Sequence, residues 1–216
     1  LARVSDEGRQ AVMMELNCET DFVSRDENFL SFGERLLSQA LEQFPADTAA
    51  LLNSQVGEAD ETFDAEREKL ISKVGENVQL RRLSCITGEG VGSYVHGNRI
   101  GVVVKLNKNN VELARDVAMH IAAVNPQAIS AADLDQDILA KEKEIYLAQA
   151  SNSGKPDNIV EKMVEGRMTK YVKEVTLLGQ SFVKNPDLTI EQLLKNNDTS
   201  IEFFERYEIG EGIEKE

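Results

Sequence analysis

Arg9-Gln10-Ala11-Val12-Met13-Met14-Glu15-Leu16-Asn17 is the stretch that decides the fold, because the chain carries it twice. At an offset of ninety stands Arg99-Ile100-Gly101-Val102-Val103-Val104-Lys105-Leu106-Asn107, in which Arg, Val, Leu and Asn coincide and the apolar pattern is kept. Short apolar runs containing β-branched residues and bounded by turn residues favour strands. An amphipathic helix is predicted after each copy. Phe29, Phe32, Leu36, Leu37, Ala40 and Leu41 follow the first at spacings of three and four, and Leu113, Val117, Ala118, Ile121 and Ala122 follow the second.

The copies differ in how strand passes to helix. The second uses Lys108-Asn109-Asn110, an ordinary polar turn, whereas the first takes roughly nine residues more, the stretch Cys18 to Asp26. Two similar scaffolds with one elaborated connection point to that connection as the functional one, since loops held by rigid elements are where binding residues sit. Within it, Asn17-Cys18-Glu19-Thr20-Asp21-Phe22-Val23 sets a short acid, a large aromatic and a β-branched residue on one corner. Phe22 either reaches outward into another molecule or tucks back into its own core, and spacing leaves both open.

The 216 residues are 41% apolar, enough for a real core in one sizeable domain or two small ones. The net charge of −14 argues against a surface that tracks phosphates, so no nucleic-acid partner is expected. No apolar run approaches 18 residues, so no membrane span is expected either. Cys18 and Cys85 have no metal-site spacing; a reduced, cytoplasmic setting is the plainer reading. Leu1-Ala2-Arg3-Val4, without an initiating Met, reads as the middle of a longer chain.

Between the copies, Ala46 to Glu61 is a polar, Ala-rich connection. Thr62 is placed to cap a helix whose face is Phe63, Leu70, Ile71 and Val74, ending at Gly75. Val78, Leu80 and Arg82 open a strand towards Ile86, and Gly88-Glu89-Gly90 breaks it. Ser93 to His96 and Ile100 to Leu106 read as a hairpin turned by Gly97-Asn98, which puts His96 at its tip. A histidine there is either a solvated side chain or a contact, while His120 lies on an apolar helix where packing is expected.

Residues 134 to 178 have a different pattern. Ile138, Ile145 and Ala148 recur along a charged helix, and Val164, Met168, Tyr171, Val175 and Leu178 along the next at spacings of four, three, four and three. That spacing is a coiled-coil seam, and the turn at Ser153-Gly154-Lys155-Pro156 makes the pair antiparallel. Thr189 caps a further helix through Ile190, Leu193 and Leu194, and Ile201 to Ile209 reads as a closing strand. The expected architecture is therefore α+β: residues 1–89 as a first subdomain, 90–130 with 179–216 as a related second, and 131–178 as an inserted helical hairpin.

At this point the residues resemble the elongation factor Ts family. The resemblance is carried by Asn17 to Val23, Gly75-Glu76-Asn77 with Arg81-Arg82, Ser93-Tyr94-Val95-His96-Gly97 and Met119-His120-Ile121-Ala122-Ala123. Ser153 to Pro156, Glu161 to Met168 and Gly210-Glu211-Gly212-Ile213-Glu214-Lys215 extend it over nearly the whole chain. It implies a guanine-nucleotide exchange factor for elongation factor Tu, with no cofactor, no bound metal and no catalytic residue of its own. It further implies that Thr20, Asp21, Phe22 and Val23 press into the GTPase near its magnesium and phosphate site, with His96 as a second contact. The family's small N-terminal helical domain and frequent C-terminal helix are not in this sequence.

Two rivals use the same residues differently. A magnesium-dependent hydrolase would gather Glu19, Asp21, Asp26 and Glu27, although no His or Lys accompanies them as a base. A module that forms a homodimer through the helical hairpin would leave the elaborated corner without a purpose.

Overall fold

Each copy of the repeat becomes the middle strand of a three-stranded antiparallel sheet. The computed structural model describes residues 1–57, 60–152 and 154–213. Glu58 and Ala59 of the Ala-rich connection, Ser153 of the Ser-Gly-Lys-Pro turn, and Glu214 and Lys215 of the closing motif lie outside the described residues. In chain order the elements are β1 (Ala2–Val4), β2 (Gln10–Asn17), α1 (Glu27–Gln43), α2 (Thr48–Leu52), α3 (Phe63–Val74), β3 (Gln79–Thr87), β4 (Gly90–His96) and β5 (Ile100–Leu106). Then come α4 (Val111–Val124), α5 (Gln136–Ser151), α6 (Asp157–Val175), β6 (Ser181–Phe182), β7 (Asn185–Thr189), α7 (Ile190–Asn196) and β8 (Ile201–Glu208).

The chain divides into two compact units, Leu1–Ala122 with Ile201–Glu216, and Ala123–Ser200. This differs from the division expected from sequence. Residues 89 and 90 fall inside one unit, because the sheets that hold the two copies share a core. Residues 179–200 group with the helix pair, and only β8 returns to complete the second sheet.

In the first unit the sheets are β1-β2-β3 and β4-β5-β8. The internal likeness goes beyond one strand and one helix. Each copy runs through a first strand, the middle strand, a helix, an insertion and a third strand. The insertion is α2 with α3 in the first copy and the whole second unit in the other. The connections from middle strand to helix are nine residues, Cys18–Asp26, against four, Asn107–Asn110, a smaller surplus than the sequence comparison implied.

Strand β2 is buried on both faces. Val12, Met14 and Leu16 pack with Phe29, Phe32, Leu36 and Phe63 from the helices, while Ala11 and Met13 meet Val91 and Val103 of the other sheet. A strand covered on both sides reads as a continuous apolar run and not as an alternation. The sheets approach closely where side chains are small, and a Cβ at Gly101 would lie 3.0 Å from the Met13 sulfur. Gly92 lets β4 touch α4, since a Cβ there would stand 2.6 Å from the Ala114 Cβ and 2.7 Å from the Arg115 nitrogen.

Each middle strand faces a β-bulge in a neighbouring strand at the same place in the repeat. The register slips between Glu15 and Leu16 against β3, and between Lys105 and Leu106 against β8. The extra residues are Arg81 and Glu202, and each pairs with the charged residue of its middle strand. Arg81 stands 3.2 Å from Glu15, and Glu202 3.1 Å from Lys105. The charges are reversed between copies while the bulge is kept. A bulge turns two consecutive side chains towards one neighbour, which is how Arg81 and Arg82 both reach Glu15.

Expected caps are present. Thr62 accepts from the Ala65 amide, Gly75 closes α3 at φ 75°, and Thr189 with Gln192 forms a capping box on α7. Gly97 and Asn98 take φ of 54° and 57° at the hairpin turn. The Ala-rich connection is less loose than its composition implied, because Asp47 caps α2 and Leu51 is buried against α1 and α3. His120 is buried.

In the second unit α5 and α6 pack antiparallel. Tyr146 meets Tyr171 edge-on at 6.5 Å, Gln149 accepts a 2.8 Å bond from Arg167, and Ala150 packs with Val160 and Val164. On α6, Val164, Met168 and Tyr171 of the expected seam face α5, whereas Leu178 lies beyond the helix, and the expected face of α5 at Ile138, Ile145 and Ala148 is not the one that packs. Tyr146 and Ala150 face the partner helix, while Ile138 and Ile145 remain 44% and 49% exposed. The aromatic stack at Tyr146 and the small Ala150 let the helices close on that face. Where the chain enters and leaves the pair, the amides of Leu177 and Leu178 donate to the carbonyls of Ala128 and Ile129.

Three substitutions test this packing. Gly92→Ala is expected to cost about 1–3 kcal/mol in urea unfolding because backbone atoms must give way. Gly166→Ala, mid-helix with open space around it, is expected to stabilise by about 0.5–1 kcal/mol. Burial works to raise the Glu15 carboxyl, but donors from Asn17, Arg82, Arg81 and Gly210 hold it below its ordinary value. Its contribution is then complete above the unfolded-chain value of roughly 4.3 and is lost as pH falls through the lower folded value. Glu15→Gln should be less stable than the parent at neutral pH, with a gap that narrows below about pH 4.3.

Candidate functional site

The corner after β2 begins with a neck clamped from a distant part of the chain. Glu76, directly beyond the Gly75 that closes α3, accepts the amides of Glu19 (3.1 Å) and Thr20 (2.9 Å) on one oxygen and the Thr20 hydroxyl (2.5 Å) on the other. In return Glu19 accepts the Asn77 amide at 3.3 Å. Thr20 Oγ1 also accepts from the Val23 amide at 3.4 Å, so the hold on the neck is passed across the tip. Cys18 donates from Sγ to the Thr20 carbonyl at 3.3 Å. Burial, and after it the Glu76 charge, push this thiol up, so it stays protonated at neutral pH.

The far side of the corner is fixed by an apolar plug and a helix cap. Val23 is 8% exposed and packs in the core of α1 and β2. Asp26 accepts from the amides of Asn28 (2.8 Å) and Phe29 (3.4 Å), which caps α1. The Asn28 side chain, with those amides, holds Asp26 below the ordinary carboxylate range. Lys73 of α3 donates to Asn28 Oδ1 at 2.6 Å.

Phe22 stands at the tip between these anchors, and its side chain is 84% exposed. The ring is therefore not tucked back into its own core. Asp21 is exposed beside it, 3.4 Å from Arg25. Of the four residues grouped by sequence, Thr20 is turned to Glu76, Val23 into the core and Asp21 to Arg25, and Phe22 projects into solvent.

His96 ends β4 at the hairpin tip, exposed, with its Nδ1 3.2 Å from the Tyr94 hydroxyl and the two rings stacked at 6.1 Å. It lies on the other sheet, yet at the same end of the unit as the Phe22 corner. At one end of β2 the Val91 amide donates to the Gly8 carbonyl. Towards the other end Glu15 accepts from Gly210, and the neighbouring Ile209 amide donates to Arg99 in the hairpin turn region. β2 and β4 therefore run towards the same end, where the corner and the hairpin tip both emerge. A larger open cleft of about 860 Å³, with Ser5, Arg9, Gly88 and Lys105 in its lining, lies at the opposite end.

Three of the four carboxylates that a hydrolase would gather have separate duties. Glu19 bonds Asn77, Asp21 pairs with Arg25, and Asp26 caps α1. No group of three or more metal-binding side chains converges among the described residues. No helix among them is long and apolar enough to cross a membrane.

Comparison with known proteins places the chain in a family. The family described as Elongation factor TS matches residues 19–211. The chain belongs to the elongation factor Ts family. Elongation factor Ts of Hydrogenovibrio crunogenus is 48% identical over 214 residues, covering 99% of this chain and 72% of that protein. That of Hahella chejuensis is 50% identical over 215 residues, covering 99% and 73%. That of Legionella pneumophila strain Paris is 46% identical over 216 residues, covering 100% and 73%.

For this family member, sequence reasoning missed the work of Glu76 and Tyr94. Both had a signal. An acid just past a helix C-terminus faces the negative end of the helix dipole, so its presence there calls for another partner. Tyr94 and His96, two apart on one strand, share a face.

Truncation should separate the inward residue of the corner from the outward one. Val23→Ala is expected to lower stability by about 1–3 kcal/mol in urea unfolding, and Phe22→Ala to leave it within about 0.5 kcal/mol of the parent.

Proposed function

We propose that the chain is a guanine-nucleotide exchange factor for elongation factor Tu, acting through the Phe22 corner. The observation that carries the reading is a large aromatic ring held in solvent on a corner whose flanks are both anchored. A soluble protein gains nothing by itself from such a ring, and a solitary exposed aromatic on a rigid support is suited to entering a partner's pocket. Family membership supplies the partner.

In this reading Phe22 enters an apolar pocket of the GTPase, and Asp21 disturbs the polar groups around its magnesium ion. Loss of that ion removes the charge neutralisation that the diphosphate needs, and GDP leaves faster. Nothing covalent takes place, and the chain is not an enzyme in the usual sense. Factor and nucleotide weaken each other reciprocally.

Magnitudes show that the corner cannot act alone. Moving a two-state population from one side almost wholly to the other needs a differential of about 5.5 kcal/mol. Burying one Phe supplies roughly 1.5–3 kcal/mol. The remainder is assigned to contacts that hold the partner without entering its nucleotide site. His96, at the same end of the first unit, is one. The α5–α6 pair, read as a coiled-coil grip, is another. The site of action in this reading is the cytoplasm, where translation elongation occurs.

The test is release of a fluorescent GDP analogue from elongation factor Tu, followed by stopped flow. Phe22→Ala should slow release severalfold or more while circular dichroism stays unchanged; a parental rate would remove Phe22 from the mechanism. His96→Ala should produce a milder loss, seen as weaker binding by surface plasmon resonance. An unchanged affinity would strike His96 from the contacts.

A further inference from the structure

We propose that Glu76 is the positioning residue of the exchange corner, holding Phe22 in its outward pose before any partner arrives. The inference rests on the exchange reading above and adds to it the device that prepares the corner.

Three donors meet on one carboxylate, two backbone amides and a hydroxyl, all from Glu19 and Thr20 and none from Glu76's own helix. Bonds to an ionised acceptor are the stronger kind. The hydroxyl that Glu76 takes as a donor is the one that accepts from Val23. Phe22 is therefore straddled: Thr20 on one side is bound to Glu76, and Val23 on the other is bound to Thr20 and plugged into the core. Glu76 is fixed in turn because α3 ends immediately before it, at a glycine in the left-handed conformation, with β3 beginning at Gln79.

Removing the carboxylate releases the neck while leaving β2, α1 and α3 with their packing. The corner then samples other conformations, and only a fraction still presents the ring. A binding-competent fraction below one raises the apparent dissociation constant by its reciprocal. The rate reached once the factor is bound is set by Phe22 and Asp21, which are still present. The expected signature of Glu76 is thus a change in half-saturation with the maximal rate preserved.

Glu76→Ala and Glu76→Gln, made in the full chain, test this with stopped-flow release of a fluorescent GDP analogue at varied factor concentration. Glu76→Ala should raise the half-saturating concentration about tenfold at a near-parental maximal rate, the rise expected for a competent fraction of about one tenth. Glu76→Gln, which keeps one acceptor oxygen, should raise it less. In a Phe22→Ala background Glu76→Ala should add nothing. Hydrogen exchange should show the Glu19 and Thr20 amides losing protection in Glu76→Ala, with Val12 and Met14 in β2 unchanged. A parental half-saturation, an equal rise in the Phe22→Ala background, or a lowered maximal rate would overturn the role given to Glu76. The exchange reading fails separately, if Phe22→Ala alone releases nucleotide at the parental rate.

Discussion

Burial of β2 on both faces is the constraint from which the rest of the first unit follows. With helices on one side and a second sheet on the other, the strand has no face on which to place a solvated charge. Its one ionised residue in the buried run, Glu15, is 4% exposed and must be compensated in place. An unpaired buried carboxylate is strongly unfavourable, and breaking such a pair costs more than forming it gains. The bulge in β3 answers that demand by bringing two arginines to one acid. Its counterpart pairs Lys105 with Glu202, whose side chains are 31% and 45% exposed, so there water shares the compensation.

The corner poses a second energetic question, which is why the smaller of two neighbouring apolar residues is the buried one. Burial by itself favours the opposite choice, because a Phe removed from water is worth at least as much as a Val within the range of roughly 1.5–3 kcal/mol. Hydrogen bonding decides. Turning Phe22 inward would rotate Val23 outward and pull Thr20 from Glu76, losing the three bonds at the neck and the Thr20–Val23 bond. At about 0.5–1.5 kcal/mol each these outweigh the difference between a buried Phe and a buried Val. The outward ring is thus a consequence of polar contacts made two residues away.

Much of this was legible because periodicity and capping are local. The helix from Thr62 to Gly75, the Gly97-Asn98 turn and the Thr189 cap need only neighbouring residues to be read, and the repeat needs only the sequence laid against itself at an offset of ninety. What escaped depends on pairing across long separations. Glu76 meets residues 56 and 57 positions earlier, and the bulge at Arg81 is defined only against Glu15. The inward face of α5 was misjudged because Ile138 and Ile145 are more hydrophobic than Tyr146 and Ala150, yet packing against α6 rewards a ring stack and a small side chain. Phe22 was half legible: its oddity on a corner could be read, its direction could not. That direction is set by bonds between segments far apart in the chain.

The two features that emerge at one end belong to different sheets, so their spacing is only as rigid as the joint between those sheets near that end. The joint is the Glu15 cluster. Arg81 and Arg82 reach from β3 to the carbonyls of Glu211 and Glu208 beyond and within β8, and Arg82 also lies 4.1 Å over the Tyr207 ring. Asn17, the last residue before the corner, donates to the same carboxylate. The segment after β8 bonds to Arg99 beside the hairpin turn. A continuous path of hydrogen bonds thus runs from the foot of the Phe22 corner through Glu15 to the foot of the His96 hairpin. Apolar packing between the sheets resists separation but is non-directional, so it tolerates sliding. Directional bonds at the end nearest both projections remove that freedom, so the buried acid that the fold must compensate is also the side chain that fixes the spacing of the Phe22 corner and the His96 hairpin.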